Sequence, residues 1–213
     1  MSLMSGVFNR PTRSVRAMKS STIHPVWLRV THWLNALAVL VMVGSGWRIY
    51  NASPLFAFRF PDEITIGGWL AGALDWHFTA MWILVINGLI YLLLNIVRGR
   101  LWHKFLPLPI HGLFADMNAA FRGHLSHADL RSYNNVQKAA YLFVIVDLIL
   151  LVLSGLVLWK SVQFPLLAAI LGGYDSARYV HFAAMLVLVG FIFIHVLMVV
   201  LVPRSLLTMV RGR

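Results

Sequence analysis

Four long apolar runs decide what this chain can become. Crossing the hydrocarbon core of a bilayer takes about 20 apolar residues in a helix. Four stretches reach that length, at roughly 26–49, 76–97, 139–159 and 179–202, and none has a proline in its interior. Lipid offers no hydrogen-bond partner to a peptide group, so runs of this kind must close their backbone bonds internally as helices. The expectation is an all-α integral membrane protein with a four-transmembrane-helix bundle. Residues 1–25 form a basic tail, 26–202 the membrane domain and 203–213 a second short tail. The chain is 60% hydrophobic with only 12% charged residues, and its mean hydropathy is +0.77, far from a soluble composition. No cleavable secretory signal is evident, because the first run is too long and lacks a small-residue cleavage site. No internal repeat or low-complexity segment stands out.

The net charge of +11 is unevenly placed. Lys and Arg number five through Arg29, six in the 98–138 connection and three after Pro203, against Arg48, Arg59, Lys160 and Arg178 in the other two connections. Such a bias puts both termini in the cytoplasm, as a multi-pass protein of the bacterial inner membrane. It also explains the basic charge without nucleic acid. The outward connections (FAFRFPDE, GGWLAGALDW) are aromatic and hold Asp62, Glu63, Asp75 and Asp175. LFADMNAAFRGHL, within the longest inward connection, suits a short surface helix.

Histidine is the anomaly in these runs. His181 and His195 lie fourteen residues apart in the fourth span, about 21 Å along the axis and within roughly 40° of one face. In an up-and-down bundle His32 of the first span shares the depth of His195, and His77 of the second shares that of His181. Two imidazole pairs at two depths are what two stacked b-type haems require, each iron taking two axial nitrogens. His32 and His195 would hold the cytoplasmic-side haem, His77 and His181 the periplasmic-side haem. The absence of cysteine excludes disulfides, cysteine-ligated iron–sulfur clusters and covalently attached haem. Two ligands per depth without a carboxylate make a poor zinc site. A haem-free proton relay, or a set of helix–helix contacts, is the rival account of the same histidines. His24, His103, His111, His124 and His127 lie outside the spans and carry no ligand role.

Other intramembrane or interfacial residues have two readings each. Arg48 and Arg178 near the outer pair, and Arg29 near the inner, suit haem propionates or ordinary snorkelling. Asp147 is the only acidic residue deep in a span, expected near the level of His195. It suits a hydrogen bond to a haem ligand, quinone-linked proton transfer or a structural polar contact. Gly44, Gly46 and Ser154-Gly155 suit the close approach of a flat ring or of another helix.

HPVWLRVTHWLNALAVL, the HFTAMW opening of the second run and the H-x13-H of the fourth resemble the bacterial cytochrome b561 and nickel–iron hydrogenase b-type cytochrome family over roughly residues 24–203. YNNVQKAAY is similar to a Tyr-Asn-x-x-Gln-Lys stretch in the membrane subunit of respiratory formate dehydrogenases and in thiosulfate-reductase-like cytochrome b subunits. The resemblance implies a dihaem cytochrome b of the respiratory chain, passing electrons between a periplasmic redox partner of the molybdopterin-oxidoreductase or hydrogenase type and membrane quinone (ubiquinone or menaquinone). It implies Asn134 beside the quinone, with Asp147 as a second candidate. Val136 stands where those relatives commonly have glycine, and YNNVQK also reads as a plain helix entry with an Asn cap. Some relatives act alone as superoxide oxidases that reduce quinone, but the acidic outward connections suit that less. The implied partners are lipid, quinone and a periplasmic redox protein, with self-association into a homo-oligomer left open.

Overall fold

A computed structural model describes residues 23–99, 112, 116, 118 and 135–212. Among them every regular element is helical: α1 (Val26–Ala52), a 3-10 turn (Asp62–Ile64), α2 (Leu70–Val97), α3 (Asn135–Lys160), α4 (Pro165–Ile170), α5 (Gly173–Leu201) and α6 (Pro203–Arg211). The helices α1, α2, α3 and α5 have 27, 28, 26 and 29 residues and are apolar enough to cross a membrane. At 1.5 Å per residue each is about 40 Å long, ample for a core of about 30 Å. Their outward faces are apolar, with Leu40 60% and Phe193 71% exposed, an arrangement that lipid satisfies and water does not. This is a multi-pass membrane protein.

The apolar runs understate the helices. α2 begins at Leu70, inside the GGWLAGALDW stretch that reads as a connection. Gly67 and Gly68 make the turn that allows it, at φ +111° and +69°, and a Cβ on Gly67 would lie 2.4 Å from the backbone of Ala73. α5 starts the same way, after Gly172 and at Gly173, at φ +77° and +91°. Positive φ costs glycine nothing. Residues 203–211 are likewise a helix rather than an open tail. Arg29 donates to the Val210 carbonyl at 2.6 Å and Trp33 to that of Met209 at 3.4 Å, so α6 folds back beneath the start of α1. The short helix expected within 113–125 and the quinone candidate Asn134 lie almost wholly or wholly outside the described residues. Asp116 is described, and its carboxylate accepts from the Asn135 backbone N–H at 2.8 Å and side-chain amide at 3.0 Å. A negative group there complements the unsatisfied donors of a helix start.

Two hairpins make the bundle. α1 packs along α2 and α3 along α5, and close backbone contact is concentrated within each hairpin. Between them, Ala38, Val39, Leu84 and Leu188 form a buried apolar layer near mid-length, supported by Val144, Leu148, Leu151 and Ile192. The hairpins match each other position by position. His77 and His181 each follow a fully buried alanine by four residues (Ala73, Ala177), and each precedes a buried alanine by three (Ala80, Ala184) and a buried leucine by seven (Leu84, Leu188). Ser45-Gly46 in α1 corresponds to Ser154-Gly155 in α3. The chain therefore contains an internal repeat after all, visible in sequence as HFTAMWILV against HFAAMLVLV and as VGSG against VLSG.

Candidate functional site

One end of the bundle, where α1 begins and α5 finishes, is basic and carries Arg29, Arg98, Lys138, Arg204 and Arg211. The other carries the aromatic 53–69 connection, and His77 of α2 and His181 of α5 both lie toward it, within electrostatic reach of one another. Each ring has the same setting. Nδ1 of His77 lies 3.0 Å from Oγ of Ser45, and Nδ1 of His181 lies 3.0 Å from Oγ of Ser154. Both serines are 0% exposed. A Cβ added to Gly46 would stand 3.4 Å from Cε1 of His77, and one added to Gly155 would stand 3.4 Å from Cε1 of His181. Each imidazole thus lies flush against the neighbouring helix, with room at the glycine for a methyl but for little more.

The basic-end pair is built differently. His32 of α1 and His195 of α5 have ring centres 6.1 Å apart and planes inclined by 60°. Phe191 stacks on His195 at 5.9 Å, and Trp33 meets His32 edge-on at 5.4 Å. One turn of α1 is pinned beside this pair: the amide of Asn87 in α2 donates to the Thr31 carbonyl and to Asn35 Oδ1, both at 2.7 Å. His32 is half-buried, whereas His195 is exposed. The apolar layer through Leu84 and Leu188 separates the two pairs, which stand roughly 20 Å apart along α5. His32 thus lies beside His195 at one depth, and His77 lies within electrostatic reach of His181 at the other.

These pairs suit a bis-imidazole metal group. Two ring nitrogens each about 2 Å from a shared ion would put the ring centres roughly 6 Å apart, which the basic-end pair already matches at 6.1 Å. No cluster of three or more His, Asp or Glu suited to a metal ion occurs among the described residues. The donor chemistry is therefore two neutral nitrogens per depth, in apolar surroundings that suit a macrocycle.

The remaining candidates are placed less centrally. Arg178 donates to the Ser53 carbonyl at 2.6 Å and to its hydroxyl at 3.1 Å, joining α5 to the end of α1. Arg48 is ion-paired with Asp62. Arg48, Asn51, Arg59, Phe60, Asp62 and Trp69 are among the residues lining an open cavity of about 530 Å³ at the aromatic end. Beside it Tyr50 packs on Phe58, Phe60 and Phe182, at 5.3, 5.3 and 5.0 Å. Arg29 is turned to α6. Asp147 is buried, and its Oδ2 has no hydrogen-bond partner among the described residues. Counting back two turns from the Ser154–His181 contact puts Asp147 level with Leu188. That is about 10 Å from the depth of His195, so the expectation that it sits near that level is corrected. Of the two buried serines beside His77 and His181, the sequence singles out only Ser154, as a point of close approach for a flat ring or another helix. The repeated Ser-Gly step was the signal that could have revealed them.

Comparison with known proteins agrees with this arrangement. No solved structure matches the chain. It is 64% identical over 190 residues to a putative protein-methionine-sulfoxide reductase subunit, YedZ1, of Azospira oryzae, an alignment covering 89% of this chain and 96% of the relative. The model of the prokaryotic cytochrome b561 family matches residues 23–212. With every described residue inside that match, the chain belongs to the prokaryotic cytochrome b561 family, membrane proteins that carry electrons on haem b.

Proposed function

We propose that the chain is a dihaem electron-transfer subunit of the bacterial inner membrane, taking electrons from membrane quinol at the basic, cytoplasmic end and delivering them to a reductase docked at the aromatic, periplasmic end. The observation that carries this is the matched pair of imidazole pairs, one near each end of a membrane-crossing bundle. Support for the direction comes from the relative, whose name makes it a subunit of an enzyme that reduces methionine sulfoxide in proteins. Reducing a sulfoxide to a thioether and water consumes two electrons and two protons, so such an enzyme needs an electron source.

Haem b, when bound, would supply one-electron chemistry at two points in the membrane. The residues of the chain do the rest. His77 and His181 offer ring nitrogens at one depth, and His32 and His195 at the other. The apolar layer of Ala38, Val39, Leu84 and Leu188 excludes water between them. Arg48 and Arg178 at the aromatic end, and Arg29 at the basic end, are the candidate partners for anionic ring substituents, each of which would have to replace its present partner. Asn134 and Asp147 are the quinone-side candidates, Asp147 as a proton carrier set deeper than the inner pair. The superoxide-oxidase reading wants a cationic outer surface; neutralisation of Arg48 by Asp62 argues against it.

A reduced-minus-oxidised spectrum with a pyridine haemochrome assay tests the proposal. The expected result is two b haems per chain, and one in His181→Ala or His195→Ala. Protein made with ample haem that binds none would sink it. The chain has no cysteine, so single cysteines placed at Ser53 and Ser205 report orientation directly. An impermeant thiol reagent applied to whole spheroplasts should label the first and spare the second.

A further inference from the structure

We infer that Ser45 and Ser154 are positioning residues for the aromatic-end ligands: each accepts the Nδ1–H of its histidine, fixing the tautomer that leaves Nε2 free to bind iron and making that nitrogen a stronger donor. The inference rests on the proposed haem ligation.

The direction of these hydrogen bonds follows from what each serine already does. Oγ of Ser45 donates to the Val41 carbonyl at 2.6 Å, and Oγ of Ser154 to the Leu150 carbonyl at 2.7 Å. A hydroxyl has one proton. With it committed to the helix, the oxygen turns a lone pair toward the imidazole 3.0 Å away, and only a protonated Nδ1 can use it.

Two features make this more than helix packing. It occurs twice, at equivalent places in the repeat and at equal distances, on both histidines of the aromatic-end pair. Neither ring of the basic-end pair makes such a bond among the described residues. An acceptor on the distal nitrogen raises the basicity of a ligating imidazole, which favours ferric over ferrous iron and lowers the reduction potential of that haem alone.

Redox titration of the purified holoprotein at the haem absorption band tests this, the aromatic-end component being assigned as the one lost in His181→Ala. In Ser45→Ala and in Ser154→Ala the ferric-to-ferrous ratio of that haem at a fixed ambient potential should fall roughly two- to tenfold, the range set by the net worth of one hydrogen bond. The basic-end haem should not move. Ser45→Thr and Ser154→Thr keep the hydroxyl and should restore the ratio. Selective loss of the aromatic-end haem in an alanine variant, rescued by threonine, supports the same role. An unchanged ratio in both alanine variants, a threonine shift as large as the alanine one, or loss or equal movement of both haems overturns it. Wild-type protein with fewer than two haems would instead defeat the ligation reading, a separate result visible before any serine is changed.

Discussion

The two histidine layers hold the same side chains and are made in opposite ways. At the aromatic end the ligand candidates are equivalent residues of a repeated hairpin, each seated against a Ser-Gly step of its neighbour. At the basic end the partners are not equivalent: His32 comes from the first helix of one hairpin and His195 from the second helix of the other. The positions that match them in the repeat are Tyr141 and Tyr91. The aromatic-end layer is thus arranged by protein hydrogen bonds that exist without any cofactor. The basic-end layer, with His195 exposed and its ring held by Phe191, depends more on what lies between the rings. A pre-organised site binds more tightly for the same contacts, because less ordering is left to do.

The largest test of this contrast is removal of a ligand from each layer. His77→Ala and His195→Ala should each abolish one haem, counted by haemochrome assay. Partial haem depletion of the wild type should empty the basic-end layer first, and the reverse order would break the comparison. Next comes the glycine seat. Gly155→Val places branches beyond a Cβ that already stands 3.4 Å from His181 Cε1. It should lower aromatic-end occupancy several-fold and leave the other haem in place, whereas Gly155→Ala should bind both. Overpacking of this kind costs about 1–3 kcal/mol. Smaller still is Arg178→Ala, which removes the tie from α5 to Ser53. A loss of about 1 kcal/mol is expected after allowance for its exposure, read as a lower thermal midpoint in detergent. Arg29→Ala should cost about as much or less, and faster proteolysis at 203–211 would show α6 released from α1.

Much of this arrangement was legible in the residues. Uninterrupted apolar length forced four helices, and the cost of imidazole in lipid made His32, His77, His181 and His195 conspicuous. Helix ends were not legible, because Leu70–Asp75 mixes aliphatic, small and acidic residues and Gly173–Arg178 aromatic, small and charged ones, and both suit an interface whether helical or not. The glycine pairs before them were the better clue. PRSLLTMVR reads as a polar tail until α1 supplies a surface for it to fold against. Asp147 was misplaced in depth because the true end of α3 lies beyond its apolar run, and only the contact between Ser154 and His181 fixes how far α3 has slid along α5. The repeat was present in the letters but is short, and it becomes evident only when the burial of Ala73 and Ala177 lines up.

The division into hairpins has a consequence for how such a protein is made. Backbone packing is concentrated within α1–α2 and within α3–α5, while both proposed haems would take one ligand from each hairpin. Each cofactor would then act as a rivet between two halves that already hold their own shape. A ligand that binds only the assembled state stabilises it by mass action, so haem supply during synthesis would govern whether the halves stay joined. In a haem-starved cell the chain should persist as two intact hairpins with an unsealed seam, open to membrane proteases.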